Sequence, residues 1–278
     1  MSEIAQKLNY YKNGTTSCKL YSSTSDVGSD YLSVRANGST AYAQLVSTSD
    51  SSASSLRVRK GGTTYAVATQ IAVQPFLEYK FNSSVTANTG NGYVVTYTQG
   101  TIEQSDNSSP ESETWCGKFT GGNFRILPQN YSMFDLSTNA WTIEFWEYRT
   151  NVGNYRSVFI NSDRGSHGLI LNYNRPSYLS CVINGADTNL GSIEYDVWRH
   201  WAYTRDTGTN HIRVYKNGSQ IAAISIASAT AITHPGEDWA LGFCYLNNTY
   251  YTGYIDLFRV YINYCKYPNG TSFTAPTS

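Results

Sequence analysis

The chain has 278 residues, enough for two domains or one large β domain, and only 14% of them are charged. Lys+Arg and Asp+Glu each number 20 and no basic block occurs, which argues against nucleic acid, whose phosphates demand clustered cations, and against membranes. Tyrosine stands out, with 24 residues beside 6 Trp and 10 Phe in a background of Ser, Thr, Asn and Gly, the composition of an all-β protein.

The opening "MSEIAQKLNYYKNG" lacks a basic segment followed by an apolar one, so no secretory leader is expected. No apolar run approaches a membrane span, so no membrane insertion is expected. The five cysteines, Cys18, Cys116, Cys181, Cys244 and Cys265, are odd in number and have no paired or metal-like spacing. They read as free, mostly buried thiols of a chain folded in a reducing cytoplasm.

The first element is a repeat. "LSVRANGSTAYA" (32–43) is echoed by "LRVRKGGTTYAV" (56–67). Each copy reads as a β-hairpin, with Asn37-Gly38 and Gly61-Gly62 supplying the positive φ of tight turns. Two hairpins form a small sheet that is marginal alone. Residues 1–73 are therefore expected to form a small β module. It serves assembly or attachment, as a homo-oligomer or in a larger particle, or it packs on its neighbour. Pro75 punctuates the chain, and a second domain is placed at 76–278.

From Phe76 onward short alternating strands follow one another: "FLEYKF", "GYVVTYTQG", and "KFTGGNFRIL" as a hairpin-like pair around Gly121-Gly122. "WTIEFWEYRT" sets Trp141, Ile143, Phe145 and Glu147 against Thr142, Glu144, Trp146 and Tyr148. "HIRVYKNGSQIAAI" is a hairpin about Asn217-Gly218. In "GYIDLFRV" the Ile255/Leu257 side is the candidate core face. Tyr264, Tyr267 and Phe273 are expected to lie across the sheet, with Pro276 ending that cover. No amphipathic helix is visible. The fold class is all-β, a two-sheet antiparallel jelly-roll sandwich preceded by a small β-hairpin-repeat domain.

In order along 76–278, "DLSTNAWTIEFWEY", the pattern Trp198, His200, Ala202, Arg205, the "VYKNG" hairpin and "GYIDLFRV" resemble the laminin-G-like family of concanavalin A-like lectin/glucanase jelly rolls. The ending, with Tyr267, Phe273 and Pro276 after the Ile-Asp-x-Phe-Arg strand, is similar to a branch common in bacteriophage tail and virion proteins. The resemblance implies a non-catalytic recognition domain for carbohydrate or protein at a cell surface. The protein would be a virion or tail-associated component made in the host cytoplasm.

Laminarinase-type relatives on this fold need Glu-x-Asp-x-(x)-Glu on one strand. The nearest stretch, "SIEYDVWRH", offers Glu194 and Asp196 but no second Glu, so no enzyme is expected. The histidines His167, His200, His211 and His234 have no zinc spacing, and His200 reads as structural. The family commonly holds calcium near one rim. The loop acids Asp163, Asp187, Asp206 and Asp238 do not cluster in sequence, and a structural calcium stays open.

Sugar sites combine rings against sugar faces with planar amides for hydroxyls. Three loops carry both: "NVGNYR" with Tyr155 and Arg156, "NYNRPSY" with Asn172, Tyr173, Asn174 and Arg175, and "YLNNTYYTGY" with Tyr245, Asn247, Asn248 and Tyr250. These ten residues are the candidate ligand site. Arg156 and Arg175 would meet either anionic sugars or nearby acids. Replacing Tyr250 or Tyr173 by Ala is expected to leave the fold intact and weaken glycan attachment. The favoured partner is a host-surface or mucosal glycan. The alternative is a structural virion protein contacting other virion proteins, and a glycoside hydrolase comes last.

Overall fold

The computed structural model describes residues 7–12, 15–21, 31–36, 39–46, 57–60, 63–67, 75–82, 94–106, 115–128, 136, 139–150, 153–161, 168–207, 209–226, 232, 239–268 and 270–276. The chain divides into two compact units, Met1–Val73 and Gln74–Ser278. In the first, β1 (Lys7–Lys12), β2 (Thr15–Tyr21), β3 (Tyr31–Ala36), β4 (Ser39–Val46), β5 (Arg57–Lys60) and β6 (Thr63–Val67) form one sheet in the order β1-β2-β3-β4-β6-β5. Ala36 pairs directly with Ser39, and Lys60 with Thr63, the strand ends that two-residue loops leave. The turn glycines themselves, and Asp163, His167, His234 and Asp238, lie outside the described residues.

Every regular element of the second unit is a strand among its described residues. Its elements are β7 (Leu77–Tyr79), β8 (Val94–Gln99), β9 (Ile102–Ser105), β10 (Cys116–Thr120), β11 (Asn123–Pro128), β12 (Trp141–Arg149), β13 (Phe159–Ile160), β14 (Leu169–Asn174), β15 (Leu179–Ile183) and β16 (Ala186–Gly191). Then come β17 (Trp198–Arg205), β18 (His211–Lys216), β19 (Ser219–Ser225), β20 (Trp239–Leu241), β21 (Phe243–Cys244), β22 (Thr249–Tyr250) and β23 (Thr252–Ile262). The first sheet runs β19-β18-β17-β12-β23-β10-β9, with β7 on β23, and the second runs β16-β15-β14-β13-β20-β11-β8. All pairings are antiparallel, as a jelly-roll sandwich requires. Between the sheets lie Phe119, Trp141, Phe145, Phe159, Tyr203 and Phe258, all fully buried. Phe145 stacks on Tyr203 and Phe258, and Phe159 meets Trp239 edge-on. Each such ring contributes roughly 1.5–3 kcal/mol by burial.

Two readings from alternation are corrected. "KFTGGNFRIL" is not a hairpin: β10 belongs to the first sheet and β11 to the second. Gly121, at φ +102°, begins a corner that carries the chain from one sheet to the other. The β8–β9 connection at Gly100 turns a similar corner, and the two nest: a Cβ on Gly122 would meet the Thr101 carbonyl at 2.5 Å. In β23 the core face is Ile255, then Phe258 and Val260, rather than Ile255 and Leu257. A bulge explains the change. Glu144 pairs with Arg259 and Trp146 with Asp256, so β23 holds one extra residue there, and Leu257 sits at φ +46°. The extra residue flips the parity of every side chain after it. The bulge falls where the neighbour of β23 changes from β10 to β7.

Strand β12 is buried on both faces. Its inner side chains enter the core, and the C-terminal segment covers the outer ones. The Thr142 hydroxyl donates to the Tyr264 carbonyl and accepts from the Lys266 amide. The Glu144 carboxylate accepts from Lys266 Nζ at 2.7 Å and from the Tyr267 hydroxyl at 2.6 Å. Trp146 Nε1 donates to the Pro276 carbonyl at 2.8 Å. Tyr267 and Phe273 stack at 3.5 Å, and Phe273 also packs on Tyr215 and His200. The Phe273 amide donates to the Gly218 carbonyl, in the turn at Asn217 (φ +48°) and Gly218 (φ +79°) that joins β18 to β19. The aromatic ending therefore covers the sheet as expected.

Burial alone would raise the Glu144 carboxyl, but the Lys266 ammonium and the hydrogen bonds from Lys266 and Tyr267 hold it below the usual range. His200 lies 3.8 Å from Glu144, and neither ring nitrogen has a hydrogen-bond partner among the described residues. Burial outweighs the pull of Glu144 and lowers His200 to about 4, so the ring is neutral. A depressed histidine contributes stability that is full above its unfolded value of about 6.5 and lost as pH falls toward 4. The depressed carboxyl acts in the same direction below about 4.5. Thermal melts from pH 7 to pH 4 are expected to show falling stability, with up to about 3 kcal/mol from His200. The His200→Gln variant should show a shallower decline; an unchanged slope would contradict this assignment.

Candidate functional site

The outward face of the second sheet carries one continuous row. Val182 pairs with Ile170, Ile170 with Ile160, Ile160 with Ala240, and Ala240 with Arg125. Directly paired residues share a face, so this row is apolar and ends in a guanidinium. Gly242, at φ +81°, breaks the chain after β20 and turns it back across the row as the β21–β22 hairpin. Phe243, Cys244 and Tyr173 join the row in a second core cluster, with Tyr245 and Tyr250 packed against it. Residues 245–248 form the hairpin tip, with Asn248 at φ +53°.

The three loops singled out in the sequence converge on this hairpin. Tyr155 lies 6.2 Å from the Tyr173 ring, and its carbonyl accepts from the Thr249 hydroxyl. Arg156 Nη1 donates to the Tyr250 carbonyl and to Thr252 Oγ1. The Tyr173 hydroxyl donates to Asn247 Oδ1. Arg175 lies over the Tyr173 ring at 4.6 Å and donates from Nε to Asp187 at 2.6 Å. The Tyr178 hydroxyl points to the same carboxylate at 3.5 Å. Asn174 pins the first loop: its Oδ1 accepts from the Arg156 amide, and its Nδ2 donates to the Gly153 carbonyl. The Tyr155 amide donates to the Asn174 carbonyl. What faces solvent is Tyr155 at 36%, Leu246 at 39%, Asn247 and Asn248, with Arg175, Tyr178 and Tyr250 half-buried beside them.

Three of the ten candidates play other parts. Asn172 is fully buried at φ +50°. A bulge in β14 between Ile170 and Tyr173 turns it inward, which simple alternation does not reveal. There Asn172 donates to Glu147 and accepts from the Tyr203 hydroxyl, and its carbonyl accepts from Arg149 Nη2 at 2.6 Å. Tyr173 is also buried, so its replacement by Ala is expected to open a void under the hairpin and cost stability. The amide of Asn174 is spent on its own loop. Sequence reading passed over Arg125 and Leu246. The alternation of "NFRIL" does set Arg125 opposite Phe124 and Ile126, but only the long-range fold shows that a hairpin crosses it.

The interior polar group has its own logic. Glu147 pairs with Arg149 at 2.6 Å, both nearly inaccessible, and Arg149 lies over Tyr251 at 5.1 Å. A small cavity beside them is lined by Glu147, Arg149, Glu194, Arg199 and Trp201, among others. Hydrogen bonds from Arg199 and Lys216 lower Glu194 to about 2, so it holds no proton to donate at neutral pH. Asp196 is exposed. The described residues contain no group of three His, Cys, Asp or Glu that fits a metal, and Asp187 is committed to Arg175. Cys116, Cys181, Cys244 and Cys265 form no disulfide among the described residues.

A laminin-G-type family model, described as the concanavalin A-like lectin/glucanases superfamily, matches residues 119–264, just over half of the chain. The chain belongs to this superfamily. The match spans β11 to β23 and so includes the whole hairpin cluster. No curated protein sequence matches the chain. Among solved structures, this superfamily member is similar to domain 4 of AbnA, a GH43 extracellular arabinanase from Geobacillus stearothermophilus, solved with arabinotriose. The identity is 18%, the match covers 68% of this chain and 92% of that one, and the TM-score is 0.54. It is also similar to a botulinum neurotoxin type C structure whose title ties cell entry to two ganglioside molecules, at 14% identity, 73% and 50% coverage and TM-score 0.52. A third is the botulinum neurotoxin DC binding domain with rat synaptotagmin II, at 14% identity, 68% and 48% coverage and TM-score 0.51. The chain spans about half the length of these neurotoxin domains. At such identities the likeness is one of fold.

The Asn172→Ala variant leaves Glu147 and Tyr203 without their partner and should cost about 3 kcal/mol by denaturant unfolding. Tyr155→Ala, at an exposed loop, should stay within about 0.5 kcal/mol of the parent. Equal effects of the two would contradict this division between interior and surface.

Proposed function

We propose that the second unit is a non-enzymatic carbohydrate-recognition domain that binds a host-surface or mucosal glycan through the Tyr155, Arg175 and Leu246–Asn248 surface. The observation that carries this reading is the convergence of three separate aromatic and amide-bearing loops on one hairpin. Tyr155 and Tyr250 offer rings, and Asn247, Asn248 and Thr249 offer planar or hydroxyl hydrogen-bonding groups. All are braced by a buried apolar row, which lowers the ordering cost of binding. Support from relatives is the arabinotriose complex of AbnA domain 4 and the ganglioside dependence of the type C neurotoxin, both statements about those proteins.

The broader role is that of a bacteriophage tail or virion component, folded in the host cytoplasm. Residues 1–73 act as the assembly module of a homo-oligomer. Its ground is the Tyr267, Phe273 and Pro276 ending, packed over the first sheet, together with the six-stranded N-terminal sheet. A second reading is a protein-contacting virion subunit; the similar neurotoxin domain was solved with synaptotagmin II, a protein.

Glycan-array binding separates the two. At least one glycan class should bind, and Tyr155→Ala should weaken it about tenfold, the loss of roughly 1.4 kcal/mol of ring contact. Melting temperature should not change. Binding that survives both Tyr155→Ala and Asn248→Ala would remove this surface as the site, and a blank array would favour the protein-contact reading.

A further inference from the structure

We infer that the surface around the β21–β22 hairpin selects anionic sugars, carboxylated or sulfated, with Arg125 and Arg156 as the cationic contacts; this rests on the glycan reading above. Three guanidiniums meet this one hairpin. Arg175 is neutralised by Asp187. Among the described residues the other two have no acid. Arg125 lies over the Tyr245 ring at 4.5 Å and the Phe243 ring at 5.8 Å, and its Nε and Nη1, both buried, have no acceptor among the described residues. The buried Tyr245 hydroxyl is likewise without a hydrogen-bond partner among the described residues. Among the described residues Arg156 reaches only neutral oxygens, the Tyr250 carbonyl and Thr252 Oγ1, and its buried Nε has no acceptor. Burial and the nearby Arg149 both lower the Arg156 pKa, the environment of a cation that gains from an added anion.

Among the described residues the patch thus holds three cations against one carboxylate, in a chain whose formal net charge is zero. A neutral sugar offers these guanidiniums only hydroxyl oxygens. A carboxylate or sulfate offers charge-assisted hydrogen bonds, shorter and about twice as strong. The alternative is that Arg125 merely packs the hairpin through its flat cation on two rings. That role requires no anion and predicts no preference among glycans.

The test compares sialylated, uronate-bearing and sulfated glycans with matched neutral ones, at low and high salt, on the full chain. Acidic glycans should bind about tenfold or more tighter at low salt, and the advantage should shrink as salt screens it. Arg125→Gln should remove most of that advantage without weakening neutral binding, and Arg125→Lys should keep part of it. The sialyl, uronate and sulfate arms identify the anionic group. Equal low-salt binding of acidic and neutral glycans by the unaltered protein overturns the inference, and needs no variant. If those neutral glycans still depend on Tyr155, the glycan reading stands and only the charge preference falls. If no glycan binds at all, both fall.

Discussion

The covering of β12 on both faces is the constraint on which the second unit depends. A strand buried on one side can leave polar groups to solvent; this one cannot. Its inner face fills the sandwich with Trp141, Ile143 and Phe145, and its outer face places Glu144 where water does not reach. A buried carboxylate is tolerable only with charged and hydrogen-bonded partners. Lys266 and Tyr267 supply them from beyond the last strand. The aromatic ending is thus fixed to the sheet by a polar demand at its centre, and the Tyr267–Phe273 stack spreads that attachment over Tyr215 and His200. The bulge at Leu257 belongs to the same design, because it lets β23 pair with β12 while its other edge passes from β10 to β7.

The second sheet solves the opposite problem. Its outward row would be exposed and apolar, and the β21–β22 hairpin folds back to cover it. The cover is rigid underneath and polar on top. Phe243 and Tyr250 face each other at 5.0 Å below, while Leu246, Asn247 and Asn248 form the tip. Loop 153–156 is tied to it through the Tyr155 and Tyr250 carbonyls, and loop 174–178 is tied to loop 153–156 through Asn174, so the exposed groups are held in place before any ligand arrives. Such preorganisation is what a recognition surface needs and what a passive cover does not.

The strand order of types, the hairpin at Asn217-Gly218 and the covering tail were legible because alternation and turn residues are local signals. Alternation failed at three places, each for a stated geometric reason. At Leu257 and at Asn172 an extra residue flips parity, and at Gly121 a turn changes sheets instead of reversing within one. The site was partly legible. Rings and amides marked the right loops, but which groups point outward depended on the bulge in β14. Arg125 could not be assigned from "NFRIL", because its importance comes from a hairpin more than a hundred residues further along. The Glu147–Arg149–Asn172 group was equally hidden, since its members gain meaning only when β12 and β14 face each other.

The central claim is that the hairpin surface, and not the interior polar cavity, receives the glycan. A crystal structure of the full chain with the tightest array glycan tests it most directly. The account predicts sugar density against Tyr155 and the Leu246–Asn248 tip, with any acidic group at Arg125 or Arg156. Density in the cavity beside Glu147 and Glu194, with the hairpin surface bare, would contradict it.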